Sequence, residues 1–221
     1  MSVLVKICGL STPETLDVAL AAGADMVGFV FFPPSPRNIS LEAARALGLR
    51  VKDHAKTVAL VVDADDALLE QIIGALKPDT LQLHGHETPQ RVAAIRDRFG
   101  VPAMKVLAIE TKADLAAIAP YAGVADRLLF DALPPRDATR PGGLGKPFDW
   151  HLLENLDLSI PYLLSGGLHA GNVAEALRIT RAPGVDVSSG VESAPGVKDP
   201  EKIRAFIRAA RASLGAGMPV G

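Results

Sequence analysis

Short apolar runs alternate with longer amphipathic stretches along the chain, and the alternation repeats about eight times. The apolar runs are rich in Val, Ile and Leu, and they predict strands at 3–8, 26–32, 56–62, 80–84, 102–108, 126–131, 161–165 and 184–189. The stretches between them have helical periodicity and predict helices at 13–22, 41–52, 65–76, 88–99, 112–119, 149–156, 170–179 and 200–213. The pattern therefore indicates a repeated unit of one strand followed by one helix.

Helix start signals support several of these boundaries. Ser, Thr and Asp favour the position before a helix, because their side-chain oxygen accepts a hydrogen bond from a free backbone N–H. Proline suits the first turn, where its missing N–H costs nothing. The predicted caps are Ser40, Asp63, Thr111 and Asp199, and the predicted first-turn prolines are Pro13, Pro89 and Pro200.

The predicted strands are apolar at nearly every residue, so both faces of each strand should be covered, as in parallel sheets. Eight such units in 221 residues fit a closed barrel with few insertions. We therefore predict an α/β fold, a single-domain (β/α)8 TIM barrel with eight parallel strands, over residues 1–214, followed by a disordered tail at 215–221. A doubly wound open sheet is the alternative, but no Gly-x-Gly-x-x-Gly follows the first strand.

Composition and charge narrow the classes of partner. Hydrophobic residues make up 48% of the chain, and 23 basic against 25 acidic residues give a net charge of −2 without a basic block. We expect no nucleic acid and no membrane surface as partner, which leaves small molecules. The single cysteine excludes an intrachain disulfide, and no apolar run approaches the roughly 18 residues needed to cross a bilayer. The first strand leaves no room for a signal peptide, so we expect a cytoplasmic protein.

Several chemically useful side chains fall at predicted strand ends, where barrels of this kind carry their active sites. Cys8, His84 and Asp131 end strands, and Arg37 lies in the loop after the second strand. A lone cysteine is more often a small buried hydrophobe than a catalyst, so Cys8 needs support from the rest of the site. His84 fits a structural hydrogen-bonding role or a pocket wall better than a catalytic base. Because no cysteine or carboxylate cluster accompanies the histidines, no metal is predicted.

The last two strands run into glycine-containing turns, whose backbone N–H groups can surround a phosphate. These turns are Ser165-Gly166-Gly167 and Ser188-Ser189-Gly190. We therefore predict a phosphorylated small molecule as substrate, with glycines that only form tight turns as the alternative.

Motifs at these strand ends resemble the phosphoribosylanthranilate isomerases, which carry out the Amadori rearrangement step of tryptophan biosynthesis. The resemblance covers nearly the whole chain, and the motifs follow in family order. They are Lys6-Ile-Cys-Gly9, Gly28-Phe-Val-Phe-Phe-Pro-Pro-Ser-Pro-Arg37, Val61-Val-Asp63, Leu81-Gln-Leu-His-Gly85, Phe130-Asp131, Gly142-Gly-Leu-Gly145 with Phe148-Asp-Trp150, Ser165-Gly-Gly-Leu168 with Gly171-Asn172, and Gly184-Val-Asp-Val-Ser-Ser-Gly-Val-Glu192 with Pro195-Gly196 and Lys198-Asp199.

The resemblance implies that Cys8 is the general base, that Asp131 is the general acid and that Arg37 binds the anthranilate carboxylate. Asp186 is implied either as an acceptor for a substrate hydroxyl or as a member of a buried ion pair. No metal and no organic cofactor are implied, and both a monomer and a homodimer are compatible with the architecture. The implied phosphate-binding residues are Gly166, Gly167, Ser188, Ser189 and Gly190, with Gly143 and Gly145 nearby.

Two requirements follow for this chemistry. A thiol with an ordinary pKa of about 8.5 is only a few per cent thiolate at neutral pH, so a cation such as Arg37 or Lys6 should favour the thiolate. Asp131 must carry a proton in order to donate one. The chain departs from the family at Leu144, where threonine is common, and mildly at Ser165, where alanine is common. The loop after the sixth strand is Pro-rich from Leu133 to Pro141, so we expect it to close differently here.

Three other functions compete with this interpretation. A related sugar-phosphate isomerase of histidine biosynthesis shares the phosphate loops but has aspartate at the position of Cys8. A flavin-dependent barrel uses similar phosphate loops and would be yellow. A binding-only barrel would bind its ligand without turnover.

Overall fold

The apolar runs form a closed barrel of eight parallel strands in the computed structural model, which describes residues 3–133 and 147–212. Each strand pairs with the next, and the first pairs with the eighth. The predicted (β/α)8 barrel is therefore confirmed, and the open-sheet alternative was wrong. The strands are β1 (Leu4–Cys8), β2 (Met26–Phe31), β3 (Lys56–Val61), β4 (Thr80–Leu83), β5 (Ala103–Ile109), β6 (Arg127–Ala132), β7 (Tyr162–Leu164) and β8 (Gly184–Val187).

Alternate residues of each strand face the barrel interior and the surrounding helices. The interior is filled by one apolar layer, and Cys8 lies above it in a smaller cluster with Val30 and Leu60. The opposite faces of the strands pack on the helices in the main core. The interior layer contains Met26, Val58, Met104, Val106, Leu129 and Leu163, with Leu4 against it. Because this layer fills the barrel below Cys8, the chemistry is confined to the mouth at the strands' carboxyl ends.

The helices that cover the barrel within the described residues are α1 (Pro13–Ala21), α2 (Leu41–Val51), α3 (Asp66–Leu76), α4 (Pro89–Phe99), α5 (Ile118–Ala122), α6 (Val173–Thr180) and α7 (Pro200–Ala212). The predicted helix at 112–119 is instead a 3-10 helix at Lys112–Ala117, followed directly by the short α5. Pro120 lies in the first turn of α5, where a missing N–H costs little. The predicted helix at 149–156 is only a 3-10 turn at Trp150–Leu153.

Most of the predicted helix starts are confirmed. Ser40 accepts a hydrogen bond from a backbone N–H of α2, and Asp199 accepts two from the first turn of α7. Thr111 precedes the 3-10 helix after β5, and the three prolines begin α1, α4 and α7. The cap predicted at Asp63 was wrong, because Asp65 caps α3 and Asp63 instead accepts a hydrogen bond from the backbone N–H of His86.

A short antiparallel hairpin follows β8 and was not predicted. It consists of β9 (Glu192–Ala194) and β10 (Val197–Lys198), and its turn is Pro195-Gly196. The hairpin lies against the loop after β2, since a side chain at Gly196 would stand 2.5 Å from the Pro36 carbonyl oxygen. It therefore brings the end of the barrel sequence to the loop that carries Arg37.

Some predictions fall on residues outside the described ranges. These are Gly143, Leu144 and Gly145 in the loop after β6, and the tail at 215–221. Among the described residues, no helix has both the length and the apolar character to cross a membrane.

Candidate active site

Cys8 ends β1 and turns its thiol into the barrel interior, where the residue is only 3% exposed. Lys6, two residues earlier, faces the same interior and is fully buried. The Lys6 ammonium lies 2.7 Å from Asp186 Oδ1 on the neighbouring β8, and its charge also acts on the Cys8 thiol. A thiol, an ammonium and a carboxylate therefore meet across the β1–β8 pair.

Burial raises the pKa of the Cys8 thiol above its ordinary value, because a thiolate loses hydration there. The Lys6 ammonium opposes this shift, and a second ammonium, that of Lys198, also favours the thiolate. Although burial alone would lower the pKa of Lys6, Asp186 and Cys8 raise it above its usual range. Lys6 thus keeps its positive charge beside a thiol whose pKa lies above its ordinary value.

Asp186 forms the buried ion pair that was one of its two predicted roles. Its Oδ1 accepts from Lys6, and its Oδ2 accepts a hydrogen bond from the Ser165 hydroxyl at 3.3 Å. Both carboxylate oxygens therefore have partners within the protein. The Ser165 hydroxyl thereby helps to hold Asp186 in place.

Asp131 lies near the end of β6, on the interior face that Leu129 also occupies. Its Oδ1 accepts from the Ala132 N–H at 2.9 Å, and its Oδ2 is 3.4 Å from His84 Nε2. The hydrogen-bonding role expected for His84 is present, but its closeness to Asp131 was missed. The sequence did carry a signal for this contact, because His84 and Asp131 both lie at strand ends and therefore face the same barrel mouth.

Gln82 completes the contacts on this side of the mouth. Its amide nitrogen is 3.5 Å from His84 Nδ1, while its amide oxygen is buried without a hydrogen-bond partner among the described residues. Turning the amide over would bring this oxygen toward Nδ1 and favour the tautomer that accepts at Nε2. His84 can therefore either donate a hydrogen bond to the Asp131 carboxylate or accept one from its protonated form.

The glycine turns after β7 and β8 pack tightly against each other. Gly166 and Gly167 have positive φ angles of 86° and 64°, a conformation that favours glycine. At Gly190, in the short 3-10 helix Ser189–Val191, a Cβ would stand 1.9 Å from the Leu168 carbonyl oxygen. The N–H groups of Gly166 and Gly167 donate to no acceptor within 3–133 and 147–212. These turns therefore present free backbone donors of the kind that bind phosphate.

Asn172 shapes the first of these turns from the start of α6. Its side-chain amide donates to the Gly167 carbonyl at 3.0 Å, and its side-chain oxygen accepts from the His169 N–H at 2.8 Å. The two bonds fix the backbone of the turn without using the glycine N–H groups.

Arg37 is buried, 4% exposed, and makes a two-point ion pair with Glu192 of β9. Its Nε and Nη2 each donate to a different oxygen of the Glu192 carboxylate at 2.7 Å. Lys198 of β10 donates to the same carboxylate, also at 2.7 Å. Glu192 and Lys198 stand in the last resembling motif, but no site role was predicted for either of them.

Arg37 and Lys198 share the Glu192 carboxylate, and this arrangement explains the pKa directions of Glu192 and Lys198. Burial works to raise the pKa of Glu192, but Arg37 and Lys198 together hold it below its ordinary range. Burial lowers the pKa of Lys198, and the Glu192 carboxylate offsets that only in part because Arg37 repels the ammonium. The cluster brings two basic side chains to one carboxylate, next to the loop between β8 and β9.

Comparison with known proteins gives one consistent family. The sequence model described as N-(5'phosphoribosyl)anthranilate (PRA) isomerase matches residues 5–209. The chain is 71% identical over 213 residues to the N-(5'-phosphoribosyl)anthranilate isomerase of Bradyrhizobium diazoefficiens, with 96% of each chain covered. The crystal structure of phosphoribosyl anthranilate isomerase from Thermotoga maritima aligns with a TM-score of 0.86 at 34% identity, over 95% of this chain and 99% of that one.

A second solved structure carries a bound molecule. It is a phosphoribosyl anthranilate isomerase in complex with reduced 1-(o-carboxyphenylamino)-1-deoxyribulose 5-phosphate. It aligns with a TM-score of 0.82 at 32% identity, over 95% of this chain and 99% of that one.

Proposed function

The chain belongs to the N-(5'-phosphoribosyl)anthranilate isomerases of tryptophan biosynthesis, and we propose that it performs their reaction as an Amadori rearrangement with Cys8 as base and Asp131 as acid. The substrate is N-(5-phosphoribosyl)anthranilate and the product is 1-(2-carboxyphenylamino)-1-deoxyribulose 5-phosphate. The observation that carries the proposal is a buried thiol and a buried carboxyl on interior faces at the mouth of one barrel.

Ring opening is the first step and needs an acid. Asp131 donates its proton to the ribose ring oxygen as the bond from that oxygen to the anomeric carbon breaks. The lone pair of the anilinic nitrogen forms the new C=N bond, which leaves an iminium ion and an Asp131 carboxylate. His84, 3.4 Å from Asp131, supports this step because it accepts a hydrogen bond from the protonated acid or donates one to the carboxylate.

Proton removal from the neighbouring ribose carbon is the second step and needs a base. The Cys8 thiolate takes this proton, and the electron pair of the C–H bond moves to form a C=C bond while the iminium nitrogen regains its lone pair. The resulting enolamine tautomerises to the ketone, gaining a proton on carbon and losing one from oxygen. Cys8 and Asp131 then return to their starting states by proton exchange with solvent, so the reaction is a balanced isomerisation.

Lys6 and Asp186 act on the base rather than on the substrate. The ammonium stabilises the thiolate, and the Asp186 carboxylate keeps the ammonium charged and in place at 2.7 Å. Because both Asp186 oxygens already have protein partners, we assign Asp186 to this supporting role.

The remaining residues bind the two anionic ends of the substrate. Arg37 binds the anthranilate carboxylate, for which a guanidinium group is well suited. The phosphate is bound by the turns after β7 and β8, through backbone N–H groups and serine hydroxyls. The phosphate-binding set is Gly166, Gly167, Ser188, Ser189 and Gly190, together with Gly143 and Gly145 from the loop after β6.

The proposal is tested by a steady-state assay that makes the substrate in place from anthranilate and a phosphoribosyl donor and follows the loss of its fluorescence. We expect Cys8→Ala and Asp131→Asn each to lower kcat by about 10² or more while circular dichroism stays that of the wild type. A near-wild-type rate in either variant removes that residue from its role. An inert wild-type protein overturns the proposed function, and the histidine-pathway intermediate is then the next substrate to assay.

A further inference from the structure

Glu192 in the β9–β10 hairpin binds one edge of the Arg37 guanidinium. A guanidinium has five N–H donors, and Glu192 takes the one on Nε and one of the two on Nη2. Nη1 donates to no acceptor within the described ranges 3–133 and 147–212. The edge formed by Nη1 and the second Nη2 donor is therefore available, and it has the fork geometry that binds a second carboxylate at two points.

The aliphatic part of the Arg37 side chain is confined as well as its guanidinium. A Cβ at Gly9 would stand 2.6 Å from the Cδ of Arg37. The absence of a side chain at Gly9 therefore leaves the space that the Arg37 side chain occupies. Glu192 is fixed in turn, because its Oε2 also accepts from the Gly196 N–H at 3.2 Å. With the stem enclosed and one edge bound, the guanidinium plane has a single orientation.

We propose that Glu192 and Lys198 are positioning residues that determine specificity for a carboxylate on the aromatic ring of the substrate. This inference rests on the proposed function and on the role that it gives to Arg37. Glu192 turns the free edge of Arg37 toward the site, and Lys198 neutralises the charge of Glu192. Without Lys198, the Arg37–Glu192 pair would be neutral overall and would attract a substrate anion far less.

Lys198 also joins this cluster to the proposed phosphate site. Its ammonium donates to the Ser188 carbonyl oxygen at 2.9 Å and to the Ser188 hydroxyl at 3.2 Å. One buried side chain thereby fixes the distance between the turn after β8 and the carboxylate-binding edge of Arg37. Substrates are then selected by the spacing of two anionic groups as well as by their charge.

The test compares two ligands that differ only in the carboxylate. One is reduced 1-(o-carboxyphenylamino)-1-deoxyribulose 5-phosphate, and the other is the same compound with a plain phenyl ring. Their dissociation constants are measured by calorimetry on the full-length wild type, Glu192→Gln and Glu192→Asp. In Glu192→Gln the side-chain NH₂ faces the donors of Arg37 or Lys198 and cannot accept hydrogen bonds from them. The ion pair that fixes the guanidinium is therefore lost, while the side chain keeps nearly the same volume.

We expect the wild type to prefer the carboxylate-bearing ligand by about tenfold to a hundredfold. In Glu192→Gln this preference should fall to about threefold or less, with Glu192→Asp in between. In the steady-state assay, the KM of Glu192→Gln should rise by a similar factor while kcat changes by less than about threefold.

Asp25→Asn is the matched control, because Asp25 is also an acid held by an arginine, Arg211, but at the opposite end of the barrel. It should lose stability and keep the full ligand preference. A preference retained in Glu192→Gln, or lost equally in Asp25→Asn, overturns the positioning role while the proposed function stands. A wild type that binds neither ligand overturns the proposed function itself. If Glu192→Gln does not fold, Glu192→Asp and Lys198→Met carry the same comparison, with a reduced preference expected in both.

Discussion

Gly28 on β2 lies directly beside Cys8 on β1, and a side chain at residue 28 would press on the thiol. The two residues are register partners in the sheet, and a Cβ at Gly28 would stand 3.0 Å from Cys8 Sγ and 3.2 Å from Lys6 Nζ. The missing methyl group is thus what allows the thiol and the ammonium to meet inside the barrel.

Gly28→Ala should lower kcat by about tenfold or more with little change in fold, because the added methyl group pushes the thiol and the ammonium apart. Steady-state kinetics and circular dichroism measure the two parts of this prediction. Gly74→Ala on α3 is the control, since no atom lies within 4 Å of a Cβ there. It should keep kcat and raise the free energy of unfolding by about 0.5–1 kcal/mol. A wild-type kcat in Gly28→Ala would contradict the argument.

The pH profile should show that the base titrates in the alkaline range. Burial raises the pKa of Cys8 above its ordinary value, so the reactive thiolate increases as pH rises toward and beyond about 8.5. We expect kcat/KM to rise across this range, measured from pH 6 to 10 in buffers of constant ionic strength. A rise that is complete below pH 7 would mean that the free enzyme already holds a thiolate, against the effect of burial.

The buried pair of Lys105 and Glu87 should be a major contributor to stability. The Lys105 ammonium is 2.7 Å from the Glu87 carboxylate and also donates to the carbonyl oxygens of Leu83 and Gly85. Lys105→Met leaves a buried carboxylate without its cation, and the free energy of unfolding in urea should fall by about 3–5 kcal/mol. The control is Lys56→Met, which breaks an exposed pair and should leave the urea midpoint unchanged. Equal urea midpoints for the two variants would show that the buried pair contributes no more to stability than the exposed pair.

Acid should remove the stabilisation that comes from Glu192. Its folded pKa lies below the unfolded value, so between the two pKa values the unfolded chain binds more protons than the folded one. The contribution is therefore complete above the unfolded pKa of about 4.3 and is lost as pH falls through the folded pKa. Urea unfolding from pH 3 to 6 should give a steeper pH dependence for the wild type than for Glu192→Gln. Parallel curves for the two proteins would refute this assignment.

The strands could be predicted from the sequence because their signal is local. Each barrel strand is buried on both faces, so each is a continuous apolar run, and the predicted bounds agree with the observed strands to within about two residues. The helices were less predictable where a local detail decided the outcome. The segment after β5 divides into a 3-10 helix and the short α5 at residues 117 and 118. Asn155, with a positive φ of 59°, follows the short turn that ends at Leu153.

The charged contacts of the site could not be predicted, because they join residues far apart in the chain. Arg37 and Glu192 are 155 residues apart, and Lys6 and Asp186 are 180 apart. A sequence pattern reports which residue types end each strand, but it does not report which cation faces which carboxylate. The hairpin was missed for a different reason, since strands of three and two residues are too short to have a period, and only the Pro195-Gly196 turn marked it.

The pairing of β1 with β8 sets an order of events during synthesis. Lys6 lies on the first strand of the barrel, whereas Asp186 lies on the eighth and is made only after the other seven strands. Until then the Lys6 ammonium has no carboxylate beside it, and the Cys8 thiol has no properly anchored cation. A chain truncated before β8 therefore lacks more than one strand, because the proposed base is never given the surroundings in which it works.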